Sequence, residues 1–583
     1  MIATAENPAA RAGEDRLRVD PVTLEVIRHG IISIADQIDA NMTRTAYSAY
    51  IYEYKDYAVG LSGPDGELLA QSTGAMPVFV ADSVGMAVRD GLAIYGKDRL
   101  RYGDVVLCNH AAIQGQHLNN TVMYTPIFAG PDRSELIGFF AINAHWFDIG
   151  GSAVGSLSMR SKDIFMEGLQ LRTVKLWSGG EPVEEMYRII ENNTRFPLEV
   201  MGDLGAQLAG CLLGRDQTAR LANKYGVSTY LSAVATILDQ TEAAAREKIA
   251  RIPDGTYTAA SFLDDDGVGT EPVPIVVHVI VEGDELTVDY SDIADEVVGA
   301  INSGRYGGGR TVARVAFKYL IATDEPANEG MFRPVKLILP DGKLVSAKAT
   351  APMSNYSFPF PTIIDTFIKA LEKALPERVT GAHFGSFSSL RFIGTNPDGS
   401  PFQCYDSGHG GWGACATHDG AGPFRTMAHG DTRIIPVELQ ESMYPYLLEE
   451  FSLREDSGGA GTFRGGMGYR KRYRVLAPCT LTTNYERIKC PPWGVLGGGT
   501  AKPGRCIVIR ADGTEEVASK TEGLPVYPGD VVIAETGGGG GYGDPRARAL
   551  EAIQRDVTRG YVTPAAAARD YGVRIAPDGT VTR

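Results

Sequence analysis

Apolar residues recur three or four positions apart at Leu24, Ile27, Ile31, Ile34, Ile38 and Met42. That is one stripe of a 3.6-residue repeat, so the chain opens on a long amphipathic helix. Asp20-Pro21 supplies its start, a side-chain cap followed by proline at the first helical position. Asp36 and Asp39 fall on the polar face of this helix, which is solvated. From Tyr50 to Asp148 the pattern changes to short apolar runs broken by Gly, Asp and Pro, as in DYAVGLSGPDGELLA, GDVVLCNH and LIGFFAINAHWFDIGG. These read as strands joined by turns. Residues from about 183 to 250 return to helical spacing, with Met201, Leu204, Leu208 and Leu212 on one stripe and a second helix through YLSAVATILDQTEAAAREKIA. PIVVHVIVEGDELTVDYSD predicts a hairpin turning at Glu282-Gly283-Asp284. Helices near 308–322 and 361–375 follow, then a glycine-rich β region ending in ETGGGGGYGDP and a short helix or two.

At 583 residues the chain exceeds one hydrophobic core, so several units are expected. The pattern divides it into a mobile tail over 1–19, a helix-rich unit over 20–255, a central α+β unit over 256–440, a glycine-rich β unit over 441–545 and a helical tail over 546–583. The fold class is α+β, with mixed and antiparallel sheets, flanking helices and a Gly-rich β C-terminal part. No regular internal repeat points to a solenoid or propeller. The 69 glycines imply tight turns and close backbone approaches.

A formal charge of −15, with no Lys/Arg block, argues against nucleic acid. No long apolar run or signal core supports a membrane or secreted location, so the cytoplasm is expected. Seven cysteines, none in a CxxC pair, fit reduced thiols and argue against a thiolate zinc site.

Three of the nine histidines, His110, His117 and His145, sit at or just past the ends of strand-like runs, where functional side chains are commonly displayed. Imidazoles with carboxylate or amide oxygens suit a divalent ion such as zinc, manganese or iron. Hydrogen-bonded histidines in polar loops are the other reading. Asp148, three residues after His145, is either a general base or ligand-orienting carboxylate, or a turn residue capping the Gly150-Gly151 bend. Glu53 lies near Asp56 and shares that ambiguity. The run GGGGGYGDP lacks a following Gly-Lys-Ser/Thr and is read as structural, not as a phosphate loop. His409 and His418 flank GHGGWGAC as candidate pocket residues. Cys415 between them is either a nucleophile or, in the reading preferred here, a small buried thiol.

The ordered segments DPVTLEVIRHGIISIADQIDANMTRTAYS, NHAAIQGQHLNN, HWFDIGG, IFMEGLQL, NEGMFRPV, ALPERV, GGWGA, LREDSGGAGTFRGGMG, PPWGVLGGG, PGD and ETGGGGGYGDP resemble the hydantoinase B/oxoprolinase family from about Asp20 to the C-terminus. The resemblance implies a divalent metal held at Asp56, His117, Asn120 and His145. It also marks a departure: Asn120 stands where the family's acid is expected, and His110 replaces the Asp of Asn-Asp-Pro. Arg433 and Glu438 in DTRIIPVEL match a patterned family segment, either as substrate anchors or as a structural pair. His110 and Asp148 are the catalytic candidates, and His409 and Arg433 the substrate-binding ones.

What the resemblance implies for function is the metal-site subunit of an ATP-dependent hydrolase of cyclic amides, of the hydantoin, oxoproline or lactam type. It would act on a small-molecule carbonyl phosphorylated by a partner A-type subunit that holds ATP and Mg²⁺. The rival expectations are a subunit of an ATP-dependent ketone carboxylase and a non-catalytic scaffold.

Overall fold

The computed structural model describes residues 17–583, and the tail expected over 1–19 lies outside the described residues but for its last three positions. The opening helix spans Pro21–Thr45, with the expected stripe buried. The Asp20 carboxylate accepts from the Thr23 N–H at 3.0 Å, satisfying one of the donors a helix start leaves unpaired. This helix packs on the helix Pro197–Tyr225, which lies across a large sheet. The approach is close: a Cβ at Gly214 would come within 2.3 Å of the Phe140 ring, so glycine lets the helix seat on the strands.

That sheet has seven strands: β1 (Tyr57–Ser62), β2 (Leu68–Gln71), β3 (Val105–Cys108), β4 (Asn120–Ala129), β5 (Glu135–His145), β6 (Val174–Ser178) and β7 (Glu181–Pro182). Their order is β2-β1-β5-β4-β3-β6-β7, antiparallel throughout. The stretch read as strands and turns also contains a helix, Ser83–Arg99. Its buried face mixes Val84, Met86 and Val88 with Ser83, Gly85, Ala87 and Gly91, and the interspersed glycines read as turn signals.

A second sheet joins β8 (Gly255–Leu263), β9 (Val273–Glu282), β10 (Glu285–Asp289) and β11 (Val335–Ile338) in the order β11-β10-β9-β8. The predicted hairpin is β9–β10, and Gly283 at φ 62° makes the turn. β10 and β11 run parallel. One apolar core, mostly between Leu24 and Val379 with Phe387, Met427, Ala428 and Val495 added from further along the chain, is shared by both sheets and their helices.

Beyond it lie β12 (Ser389–Thr395), β13 (Pro401–Asp406), β14 (Tyr446–Leu453), β15 (Tyr469–Val475), β16 (Cys479–Asn484), β17 (Arg505–Ile509), β18 (Glu515–Val517), β19 (Lys520–Val526) and β20 (Val531–Glu535). They form a four-stranded sheet, β13-β12-β16-β19, and a five-stranded one, β14-β15-β20-β17-β18, which share a core around Leu390, Tyr473 and Val532. The glycine runs are structural. Gly539 donates to the Gly466 carbonyl at 3.0 Å and Gly459 to Gly539 at 2.8 Å, backbone against backbone. A Cβ at Gly465 would stand 1.7 Å from the Gly539 oxygen, so no other residue fits there without opening the stack. Two helices, Leu550–Thr558 and Pro564–Tyr571, and a short antiparallel ribbon, Arg574–Ile575 with Val581–Thr582, share a small core. Among the described residues no helix is long and apolar enough to cross a membrane.

Candidate active site

Strand register assembles the site. Asn120, first residue of β4, pairs with His145, last residue of β5, and β1 pairs Tyr57 with Ala144. The His145 N–H donates to the Asp56 carbonyl at 3.0 Å. Residues 64 to 89 positions apart in the chain therefore meet at one end of the seven-stranded sheet, Asp56 with Asn120 and with His145. His117 arrives on the turn just before β4. Lys55 takes a left-handed backbone at φ 63° immediately before Asp56, a conformation that non-glycine residues hold where the fold demands it.

Asp56, His117, His145, Tyr356, Arg391 and His429 line a cavity of about 50 Å³, room for roughly three or four waters. It lies between that end of the seven-stranded sheet and the face of β12, β13 and β16. The two imidazoles His117 and His145 stand edge-on, 4.8 Å between ring centres, and His145 Nδ1 is 3.9 Å from Asp56 Oδ2. Burial pushes the Asp56 carboxyl up to about 7, against the pull of Arg425. Burial also holds His145 well below the ordinary imidazole value, reinforced by His117 and Arg391, and brings His117 down to about 4. Both rings are neutral at pH 7, with lone pairs free to bind.

The hydrogen bonds of His117 leave it one proton short. Gln116 Nε2 donates to the Val78 carbonyl at 2.9 Å, so Gln116 Oε1 accepts from Asn120 Nδ2 at 3.1 Å, and Asn120 Nδ2 also reaches Tyr356 Oη at 3.0 Å. This chain fixes the Asn120 amide with Oδ1 toward His117 Nε2, 2.7 Å away. On the other side His117 Nδ1 faces the Ser354 carbonyl at 3.0 Å. A neutral imidazole carries one N–H and cannot donate to both oxygens. The Ser354 carbonyl is itself held in place, because the N–H groups of Met353 and Ser354 donate to Glu167 Oε1 at 2.8 and 2.9 Å.

A cation between His117 Nε2 and Asn120 Oδ1 would satisfy every partner. Nδ1–H would then donate to Ser354, the contact by which proteins orient metal-bound imidazoles. The donor types therefore suit a divalent ion, and Asp56 supplies one negative charge. As arranged, though, the set is a loose pair, Asp56 with His145, beside His117. Among the described residues no three His, Cys, Asp or Glu side chains form a group tight enough to hold an ion.

The remaining candidates lie elsewhere. Asp148 does not line the cavity: it accepts from the N–H groups of Gly155 at 2.9 Å, Gly150 at 3.2 Å and Arg195 at 2.8 Å, and pairs with the Arg195 guanidinium at 3.0 Å. With both oxygens saturated it organises the bend after His145, as a turn residue does. His110 caps the short helix Ala111–Gln114, where its Nδ1 accepts from the Ala112 N–H, and it too stands outside the cavity. His409 is buried between the Ser407 and Thr432 carbonyls, at 3.2 and 3.1 Å, with burial and Arg425 lowering it to about 4. Arg433 is exposed and pairs with no carboxylate among the described residues. Cys415 contacts Thr417 and the His418 carbonyl, not an imidazole. Sequence reasoning passed over His429, Tyr356, Arg391 and Glu167. Glu167 lay in the quoted segment IFMEGLQL, whereas Arg391 sits in an alternating strand pattern that gives no hint of a charge turned inward.

The model of the family described as "Hydantoinase B/oxoprolinase" matches residues 20–545. An uncharacterised protein of Methanocaldococcus jannaschii is 33% identical over 566 residues, 96% of each chain. The caprolactamase subunit beta of Pseudomonas jessenii is 31% identical over 96% of this chain and 97% of its own. The crystal structure of the ATP-dependent caprolactamase from that organism superposes with a TM-score of 0.87 at 29% identity, over 97% of this chain and 98% of that one. An acetone carboxylase structure superposes with the same TM-score at 17% identity, over 97% of this chain and 81% of that one, a likeness of fold.

Proposed function

This chain belongs to the hydantoinase B/oxoprolinase family, and from that premise we propose that it is the metal-site subunit of an ATP-dependent hydrolase of cyclic amides, working on a carbonyl that a partner subunit has phosphorylated. The relative named caprolactamase subunit beta is one subunit of an enzyme whose structure is titled ATP-dependent. The glycine runs of the present chain pack backbone on backbone, consistent with ATP being handled by the partner.

The observation that carries the reading is the unmet proton at His117, in a cavity shared with Asp56 and His145. Asp56, His117 and His145, with the neutral Asn120, would hold a zinc, manganese or iron ion. When bound, such an ion polarises water and stabilises charge at the attacked carbon. The chain's own groups do the rest. The Ser354 carbonyl orients the His117 ring, and Tyr356 Oη anchors Asn120. Asp56 would bring the single negative charge of that ligand set. Met76, Phe79 and Phe387 on the walls limit water around the reacting carbon.

The test is to incubate the chain and its partner with ATP and either a lactam or hydantoin, or a ketone with labelled bicarbonate. Ring opening that requires metal supports the proposal. Label fixation in the ketone arm alone would replace it with carboxylation, and a metal-free chain that supports full turnover would reject it.

A further inference from the structure

The cavity has a second polar face that the reading above leaves unused. Arg391, in β12, is 5% exposed, and among the described residues its guanidinium makes one hydrogen bond, from Nη1 to the Leu157 carbonyl, 2.6 Å. Among the described residues no carboxylate lies within ion-pair distance of it, unlike the buried Arg314, Arg487 and Arg548; Arg425, 2% exposed, shares that lack. Removing a guanidinium from water without a paired carboxylate is costly, and burial holds Arg391 below the ordinary arginine range against the longer-range pull of Tyr50 and Glu522. The register places Tyr405 and Thr482 on either side of it and Asn484 opposite Ser389. Tyr50 Oη is buried in the same cavity with no hydrogen-bond partner, and so is Asn484 Oδ1. Asp56, His117 and His145 stand at the end of the seven-stranded sheet, and Arg391 looks in from the opposite sheet.

We propose that this face is an oxyanion subsite, in which the Arg391 guanidinium and Tyr50 Oη take the phosphoryl or carboxylate oxygens of the reactant while Asp56, His117 and His145 work on its carbonyl end. The proposal rests on the cavity being the active centre. A guanidinium presents paired donors that match two oxygens of one anion, and a buried one without a carboxylate partner gains most from such a ligand. The free space of about 50 Å³ holds a small oxyanion in place of a few waters. The subsite would thus select reactants that carry an anion and position them so that their carbonyl faces Asp56.

The experiment is equilibrium dialysis of the full chain against radiolabelled orthophosphate and, separately, radiolabelled acetate. Wild type, Arg391→Met, Arg391→Lys and Tyr50→Phe are compared, with metal content measured in each. Saturable binding of one or both anions is expected, and the preferred anion identifies the phosphoryl or the carboxylate source. Arg391→Met should weaken it by at least about 10-fold, and Arg391→Lys by less, because it keeps the charge but loses the fork. Tyr50→Phe, nearly isosteric and safe for folding, should weaken it by about 3- to 10-fold and decides the matter if the Arg391 variants do not fold. Metal content should be unchanged in all three. Wild type binding neither anion, or Arg391→Met and Tyr50→Phe binding as wild type, would overturn the subsite. If wild type holds no metal yet binds anion through Arg391, the metal reading fails and the subsite stands.

Discussion

Replacing Asn120 by aspartate probes the site at its most informative atom. In the metal-free chain Asn120 Nδ2 donates to Gln116 Oε1 at 3.1 Å and to Tyr356 Oη at 3.0 Å. A carboxylate can turn the tyrosine hydroxyl into a donor, but it leaves Gln116 Oε1 facing another acceptor. Gln116 cannot flip without losing its bond to Val78. One unmet buried pair costs about 1–3 kcal/mol, so metal-free Asn120→Asp should be less stable by that amount. With a dication bound the sign reverses. A unit charge about 4 Å from a dication gains roughly 8 kcal/mol at an effective dielectric of about 20. Against this stand several kcal/mol for holding a carboxylate out of water and the loss of the amide oxygen's own ligation. A net gain of about 1.4–2.8 kcal/mol remains, 10- to 100-fold in affinity. Titration calorimetry with Zn²⁺ and Mn²⁺, paired with denaturant melts of metal-free protein, reads both halves. Unchanged or weaker metal binding would show that Asn120 Oδ1 does not face the ion and would refute the reasoning.

Other substitutions separate the site from its scaffold. His117→Ala and His145→Ala should each lower metal affinity by more than about 100-fold, since even groups that only orient ligands are worth 10- to 100-fold, with circular dichroism unchanged; metal retained in both would remove the imidazoles from the site. Asp148→Ala should destabilise the bend through Gly155 by about 2–4 kcal/mol, because it strips partners from buried N–H groups and from Arg195, yet leave metal content intact; loss of metal would restore it to the site. Burial raises Glu167 from 4.5 to about 8, so folding takes up a proton there. Its penalty is absent below about pH 4, grows as pH rises toward 8 and is constant above. Glu167→Gln should flatten the fall in denaturant midpoint between pH 5 and pH 8; parallel curves for the two proteins would contradict the shift. Gly465→Ala, whose Cβ would meet the Gly539 oxygen at 1.7 Å, should prevent soluble expression, and a well-folded variant would show that the glycine stack can open.

Much of the fold was legible because helices and hairpins write their burial into local spacing. The stripe from Leu24 to Met42 and the Gly283 turn appear where the pattern puts them. The helix Ser83–Arg99 was not, since Gly85, Gly91 and Gly96 punctuate its apolar positions and read as turns. The convergence of Asp56, Asn120 and His145 depends on the strand order β1-β5-β4 and its register, which local spacing does not determine; the resemblance to the family, not the periodicity, paired them. Asp148 illustrates the opposite limit. A carboxylate three residues from a site histidine looks catalytic in one dimension, but its oxygens are taken by Gly150 and Gly155 of the following loop and by Thr194 and Arg195 ahead of the helix Pro197–Tyr225. Arg391 was invisible, because nothing in the strand SLRFIGT tells which face meets a cavity lined by another sheet.

The most direct test is anomalous diffraction at the zinc or manganese edge from crystals grown with the metal. For zinc the account predicts one peak about 2.0–2.1 Å from His117 Nε2, with His145 and Asp56 drawn onto it and His117 Nδ1 still on the Ser354 carbonyl. A cavity without a peak at saturating metal, with His117 Nε2 left against Asn120, would contradict it.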